Sequence, residues 1–401
     1  MNSPGSATYT KNAGAWDEMA VFGRPEYSKA KVNAAGEVLR RAFNDDWQNW
    51  DDARWDEYNE ALDVINNWRS AHGYPLNTFA TTLRTSARRF CHDPLIAQRT
   101  KRLFSIAKKL RDQSTMNLAQ MQDIGGCRAV MRTVAQVKEL QVYYESKIDF
   151  LHQGPEKKDY VLNPKPLTGY RGVHLVYRYK TDRDTTAVYN GLKIEMQLRS
   201  QYQHAWATAV ETVGAFVGQA LKSTQGDQDW LDFFKLMGSV IAVRERCPTV
   251  PGTPSKRREL REQLEYFASK MDVDQRLQRY SVAVTQIQQR ARRRQDHKYF
   301  LLQLDPAAEK LTITGFPAWD FPAAQKKYAE AEATARISAG KDAVLVSVDS
   351  LTALEKAYPN YFADTRMFAL LMNQELAGRT RGISVPPLKI QPPKMAVSAK
   401  G

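Results

Sequence analysis

Cationic and hydroxyl side chains are closely spaced in the segment from Arg99 to Lys109. This segment also contains Lys101 and Ser105, and Asp123 follows shortly after it. Guanidinium, ammonium and hydroxyl groups bind phosphate oxygens, and a nearby carboxylate suits the metal ion that accompanies a nucleotide polyphosphate. The residue types therefore indicate a polyphosphate site. An ordinary basic amphipathic helix would have the same composition, so this segment alone leaves both interpretations open.

The geometry of this segment favours a strand that leads into a helix. In an extended chain Arg99 and Lys101 share a face, because side chains alternate with period two. Ser105 is a favoured N-cap residue, so a helix is predicted to begin there, with Lys109 on its exposed side. A helix N-terminus presents backbone N–H groups that bind phosphate.

Two further acidic or polar positions extend the pattern. Asp123 precedes the apolar run that begins at Cys127, and the run from Lys193 to Arg199 alternates strictly between polar and apolar residues. Glu195 lies on its polar face together with Gln197 and Arg199, and it could be a second metal ligand or a general base. Two carboxylates would suffice for Mg²⁺. A surface strand would show the same alternation, and Asp123 could be a structural turn residue.

The fourth segment runs from Asn163 to His174. It follows a long polar loop, residues 152–169, whose length favours function over simple connection. Tyr170 follows a glycine at a predicted strand start and could present its ring for base stacking. His174 shares the face of Tyr170 only if the strand alternation begins there.

The elements that must position these residues predict an α+β fold with a mixed sheet flanked by helices. The central region is predicted to hold strands at 127–133, 171–180 and 192–199 and helices at 105–112 and 135–149. Near the C-terminus, a single helix is predicted over Ser350–Ala377. The predicted organisation is a helical N-terminal region (1–95), a mixed α/β domain (96–225), a helical segment (226–295), a small separate α+β domain (296–380) and a flexible tail (381–401).

Composition and charge restrict the class of protein. The chain has 401 residues, is 43% apolar and carries a formal net charge of +14, which favours polyanionic partners. There is no apolar run of the ~18 residues that a spanning helix needs, and the first residues do not form a signal peptide. Cys91, Cys127 and Cys247 are too widely spaced for a zinc cluster, so a reducing cytoplasm is expected. Basic clusters that could contact RNA, or could be solvated helix faces, are Arg84 with Arg88 and Arg89, Lys256–Arg258, and Arg290–Arg294.

Four ordered motifs resemble the synthetase domain of the RelA/SpoT alarmone-synthetase superfamily. They are the Arg-x-Lys-x₃-Ser-x₃-Lys pattern of Arg99–Lys109, the Asp-Ile-x-Gly-x-Arg pattern of Asp123–Arg128, the Gly-Tyr-x₃-His pattern of Gly169–His174 and the Glu-x-Gln-x-Arg pattern of Glu195–Arg199. The resemblance implies a nucleotidyltransferase-like fold and transfer of pyrophosphate from ATP to a ribose 3′-hydroxyl. His92-Asp93 is a lone dipeptide, so the metal-dependent hydrolase activity of bifunctional members is not expected.

The resemblance also assigns roles to individual residues. Arg99 and Arg128 would hold adenine between them, and both carboxylates would bind Mg²⁺, with Glu195 also activating the attacking hydroxyl. Tyr170 would stack on the acceptor base. The remaining assignments are phosphate binding by Lys101, Ser105 and Lys109, and acceptor binding by His174, Gln197 and Arg199.

The flanking segments resemble the toxic small alarmone synthetases of the fused toxin–antitoxin (CapRel) type. The matching segments are Pro25–Lys29 with Val32–Gly36, and Ala357-Tyr-Pro-Asn-Tyr361. This implies a toxin that modifies the 3′-CCA end of tRNA, restrained by its C-terminal domain until a phage capsid-type protein binds, as anti-phage defence. Tyr358 and Tyr361 would then close the slot between Arg99 and Arg128, although both could simply anchor a helix boundary at Pro359. The alternative acceptor is GDP or GTP, which would give an alarmone synthetase. A catalytically inactive binding module is a third hypothesis, and the complete set of motifs argues against it.

Overall fold

The computed structural model describes most of the chain between residues 22 and 379. The described ranges are 22–43, 45, 49–146, 151–216, 227–283, 286–289, 297–305, 308, 310–336, 341–348, 351–359 and 364–379. The second tyrosine of the C-terminal motif, Tyr361, and the basic run 290–294 lie outside these ranges.

One mixed sheet runs through the described residues. Its nine strands have the order β3-β4-β5-β2-β1-β9-β7-β8-β6. Strands β2 and β5 are parallel, as are β6 and β8, and the other neighbours are antiparallel. The predicted mixed α+β fold is therefore confirmed. The strands are β1 Leu95–Thr100, β2 Gly125–Met131, β3 Gln153–Asp159, β4 Val173–Arg178, β5 Lys193–Ser200, β6 Gln286–Gln289, β7 His297–Asp305, β8 Lys310–Pro317 and β9 Asp342–Ser347.

Helices cover both faces of this sheet. In the described residues they are α1 Lys29–Ala42, α2 Asp52–Ala71, α3 Gly73–Ala87, α4 Leu103–Asp112, α5 Val134–Ser146, α6 Gln201–Phe216, α7 Gln228–Arg244, α8 Arg257–Lys270, α9 Val273–Ala283, α10 Phe321–Arg336, α11 Leu351–Ala357 and α12 Arg366–Leu376. None of them has the length and apolar composition needed to cross a membrane.

The N-terminal helices begin at side-chain caps and bury one apolar face. Ser28 accepts a hydrogen bond from the Lys31 N–H at 3.3 Å, and Asp51 accepts one from the Arg54 N–H at 2.9 Å. Helix α3 packs on β1 and β2, with Leu83 fully buried. This layer supports one face of the central strands and leaves their other face for the polar residues.

The C-terminal residues continue the same sheet. Gln98 and Arg99 of β1 pair with Ser347 and Val346 of β9, so β1 is an interior strand. Helix α10 covers one face of the added strands, and α11 covers the other. A small separate α+β domain is predicted from the sequence here, whereas its strands are joined to the central sheet. The domain boundaries themselves stay predictions.

Three predicted elements differ from the structure. The helix predicted from Ser105 begins at Leu103, because Arg102 is still extended and the Glu332 carboxylate accepts the Leu103 N–H at 2.9 Å in place of a local side-chain cap. The loop predicted over 152–169 begins with strand β3, which is an edge strand and tolerates its proline. The single helix predicted over 350–377 is two helices, α11 and α12.

Candidate active site

The register of four strands collects the predicted polar residues on one face of the sheet. Arg128 of β2 pairs with Gln197 of β5, and Gln197 pairs with His174 of β4. In the adjacent row, Arg99 pairs with Gly126, which pairs with Glu195. Paired residues point to the same side, so all these side chains share one face. Because Gly126 has no side chain, there is free space on this face of the sheet between Arg99 and Glu195.

Asp123 is bound by two lysines at the edge of this face. The Nζ atom of Lys101 is 2.8 Å from Oδ2, and the Nζ atom of Lys109 is 2.9 Å from Oδ1. Burial alone would raise the pKa of Asp123, but the two ammonium groups outweigh it and hold the pKa far below its usual range. Lys101 directly follows β1 and Lys109 lies in α4, so the strand-to-helix turn brings the predicted phosphate-binding residues to the predicted metal ligand.

A second network joins Glu195 to the predicted acceptor residues. The Glu195 carboxylate accepts from Nδ1 of His174 at 2.8 Å and from the Gln197 amide at 2.7 Å. The Tyr170 hydroxyl lies 2.6 Å from Nε2 of His174 and accepts from Arg199 at 2.9 Å. The structure therefore brings together all four predicted acceptor residues around one carboxylate.

The charges in this network stabilise one another. Burial would lower the pKa of His174, but Tyr170 and Glu195 raise it to about 9. Burial would raise the pKa of Tyr170, but Arg199 and His174 lower it to about 8. Burial opposes ionisation of Glu195 as well, yet its pKa is lowered, mainly by His174. The carboxylate is thus ionised at neutral pH, as a general base must be.

Tyr170 is buried in this state. Its side chain is 8% exposed, and its ring contacts Tyr160, His174 and Trp206 edge-on. Lys165 lies 5.5 Å from the ring centroid. The hydroxyl faces the network, and the tyrosine therefore links the acceptor side of the site to the hydrophobic core of α6 and α7.

Asp123 and Glu195 are carboxylates of the kind that bind Mg²⁺, and both oxygens of Asp123 are paired with lysines in this structure. The charge of Asp123 opposes ionisation of Glu195, although His174 outweighs it and the pKa of Glu195 is lowered, so the two carboxylates lie close enough to interact. In the described ranges, no group of three or more His, Cys, Asp or Glu side chains is arranged to hold a metal ion. Mg²⁺ typically binds one or two protein carboxylates together with substrate phosphates and water, so a pair is sufficient.

The slot beside Arg128 is filled by the chain's own C-terminal segment. The Arg128 guanidinium lies 5.2 Å from the ring centroid of Tyr358, and its Nη2 donates to the main-chain carbonyl of Ala357. Tyr358 is 4% exposed and its hydroxyl donates to the Gln98 carbonyl at 3.3 Å. Burial raises the pKa of Tyr358, against the positive charges of Arg128 and Arg99.

Two site features were not found from the sequence. His204, at the start of α6, is buried, and its Nε2 lies 3.2 Å from the Lys356 carbonyl. Arg171 is buried and donates to the carbonyls of Val161 and Pro248, which fixes the loop that carries Tyr170. A histidine in an apolar helix and an arginine next to a tyrosine give no distinctive pattern. Half-buried Ser105 lies in the first turn of α4, between Lys101 and Lys109.

Comparison with known proteins identifies one region of the chain. Residues 98–213 match the model described as a region found in RelA / SpoT proteins. This range contains every site residue described above except those of the C-terminal segment. No curated protein matches the chain.

Several solved structures are similar to part of the chain. Small alarmone synthetase 2 from Bacillus subtilis has 19% identity and a TM-score of 0.38, over 45% of this chain and 94% of that one. Small alarmone synthetase 1 from the same organism has 18% identity and a TM-score of 0.36, over 49% and 94%. A GTP pyrophosphokinase family protein from Streptococcus pneumoniae has 20% identity and a TM-score of 0.36, over 47% and 90%.

Proposed function

We propose that this chain transfers pyrophosphate from ATP to the 3′-CCA end of tRNA, and that its C-terminal segment restrains the reaction. Support comes above all from one arrangement. Asp123 is bound by Lys101 and Lys109 beside the sheet face that carries Arg128 and Glu195. The match of residues 98–213 to the RelA/SpoT region supports the same reaction class.

In the proposed reaction the acceptor 3′-oxygen attacks the β-phosphorus of ATP. The bond between the β-phosphorus and the oxygen that bridges it to the α-phosphorus breaks, AMP leaves with that oxygen, and Glu195 takes the hydroxyl proton. Lys101, Ser105 and Lys109 bind the phosphates. Transfer of this kind depends on positioning and charge neutralisation, which these cations supply. Mg²⁺ held by Asp123 and Glu195 would add further neutralisation of the phosphate oxygens.

The acceptor side of the site has features that suit a polyanion. Strand β3 is an edge strand, and its exposed Lys158 pairs in register with His174 of β4. Lys158 thus shares the face of His174, and its ammonium group donates to the Gln122 side chain at 3.2 Å, a partner that a phosphate of the acceptor strand can replace. Together with the net charge of +14, this favours tRNA over a mononucleotide.

The C-terminal segment supplies the proposed restraint. If adenine binds between Arg99 and Arg128, the ring of Tyr358 occupies the same place, because it lies over the Arg128 guanidinium. ATP can then bind only when α11 moves away. We further propose a phage capsid-type protein as the trigger, the chain being an anti-phage toxin fused to its own antitoxin.

A labelled-acceptor assay tests the reaction. The full chain carrying Tyr358→Ala is incubated with γ-labelled ATP and Mg²⁺, with tRNA or with GDP and GTP. Label should appear on tRNA, and tRNA trimmed of its CCA end and the added Asp123→Asn substitution should both abolish it. Label on GDP or GTP but not on tRNA would replace the tRNA acceptor by the alarmone reaction, and no transfer to any acceptor would contradict the proposal.

A further inference from the structure

The last turn of α11 contacts the site through main-chain carbonyls. The Lys356 carbonyl lies 3.2 Å from Nε2 of His204, and the Ala357 carbonyl accepts from Arg128. The final carbonyls of a helix have no donor within the helix. Two donors, one from α6 and one from β2, therefore satisfy two consecutive carbonyls beside the ring of Tyr358.

His204 is held as a neutral donor at this position. Its side chain is 8% exposed, and burial, together with the charges of Arg128 and Arg199, lowers the pKa well below the usual range. Nδ1 has no hydrogen-bond partner among the described residues, while Nε2 faces the Lys356 carbonyl. A neutral imidazole has one N–H, so the proton lies on Nε2.

The departure of α11 would leave this donor without a partner. A ligand that enters this place and supplies an acceptor for the donor is therefore favoured over one that leaves it unpaired. A phosphate would be drawn to the lysines and arginines, whereas a neutral N–H suits an uncharged acceptor. The purine ring of ATP, placed against Arg128, carries uncharged acceptor nitrogens on its edge.

We propose that His204 contributes to selection of the donor nucleotide. Its Nε2–H donates a hydrogen bond to the Lys356 carbonyl in the restrained state and to a ring nitrogen of the ATP purine in the active state. This inference rests on the proposed function, because it requires adenine in the Arg128 slot. It makes His204 a residue that both restraint and nucleotide selection use. The same donor then serves two exclusive acceptors.

The test uses the full chain with Tyr358→Ala as the active background. Adding His204→Ala should raise the KM for ATP about tenfold, the equivalent of one buried hydrogen bond, and change kcat less than threefold. His204→Gln should restore most of the KM, because its amide N–H can replace Nε2–H. In the otherwise unchanged chain, His204→Ala should increase amide hydrogen exchange across 351–357, and His204→Gln should not.

Purine analogues test the same hydrogen bond without a substitution at His204, so the result does not depend on whether a His204 variant folds. With His204 intact, one ATP analogue in which a ring nitrogen is replaced by C–H should show the tenfold KM increase, and that analogue should show no further increase with His204→Ala. If the background variant turns over ATP and neither the analogues nor the variants change KM, the inference is wrong. If the background variant does not turn over ATP with any acceptor, the proposed function itself fails.

Discussion

The guanidinium of Arg128 lies 5.2 Å from the ring centroid of Tyr358, in a contact that joins the central sheet to the C-terminal segment. Tyr358 is buried there, and a desolvated cation–π contact contributes about 2 kcal/mol. One aromatic ring thus closes the face on which the predicted nucleotide residues meet.

Tyr358→Ala in the full chain should release the proposed activity. The substitution removes the ring that contacts Arg128, so induced expression of this variant should arrest growth and translation. Growth is measured beside wild type and Tyr358→Phe. The phenylalanine variant keeps the ring and loses only the bond to Gln98, so it should stay harmless. Equal growth of all three strains, with soluble protein present, would assign Tyr358 a packing role.

The ring of Tyr170 should matter more than its hydroxyl if it stacks on the acceptor. Tyr170→Phe removes the bonds to His174 and Arg199 and should lower transfer less than tenfold in the Tyr358→Ala background. Tyr170→Ala should lower it at least tenfold further than Tyr170→Phe, because it also removes the ring and base stacking contributes about 1–3 kcal/mol. Rates are measured at saturating ATP with varied acceptor. A phenylalanine variant as inactive as the alanine variant would shift the role to the hydroxyl.

Glu375 should be a main source of stability for the C-terminal helix α12. It is 2% exposed and pairs with Arg257 at 2.5 Å, with Arg244 and Arg261 at 3.7 Å. Glu375→Ala leaves these arginines without their carboxylate and should lower the free energy of unfolding by about 3–5 kcal/mol. Glu262→Ala is the matched control, because its partner Arg258 is exposed, and it should cost less than about 1 kcal/mol. Equal losses in urea unfolding would contradict this role.

Asp159 should make stability depend on pH. Burial would raise the pKa of Asp159, but hydrogen bonds from Lys138 and from the N–H groups of Leu162 and Val161 lower it. A lowered folded-state pKa gives stability that is present above the unfolded pKa, about 3.9, and is lost as pH falls through the folded pKa. Asp159→Asn should therefore be less stable than wild type by about 1–2 kcal/mol at pH 7, and the gap should narrow towards pH 3. If the difference in free energy of unfolding between the two proteins does not change with pH, the charge of Asp159 is not its cause.

The sequence predicts secondary structure and side-chain faces correctly where they follow from the spacing of neighbouring residues. The alternation from Lys193 to Arg199 predicted a strand with Glu195 and Gln197 on one face, and β5 has that arrangement. The extended Arg99 likewise lies in β1. The start of α4 was predicted two residues late, because its cap comes from Glu332, far away in the chain.

Pairings between distant segments could not be predicted. Nothing local in residues 342–347 indicates that β9 joins β1, since any apolar strand can extend an edge. Strand β3 has no apolar alternation, and Pro155 suggests a loop. The position of His204 beside Lys356 depends on how α6 and α11 meet, which no single-sequence pattern encodes.

Strand β9 lies between β1 and β7 in the sheet, and α12 packs in the core with α6–α8. Removal of the C-terminal residues would therefore disturb the fold, so restraint is tested in the full chain. The most direct measurement is equilibrium binding of a non-hydrolysable ATP analogue, with Mg²⁺, to wild type, Tyr358→Phe and Tyr358→Ala. The closed slot predicts that Tyr358→Ala binds at least tenfold more tightly than the other two, and that Asp123→Asn weakens that binding. Equal affinity in all three proteins would contradict the claim that Tyr358 occupies the nucleotide site.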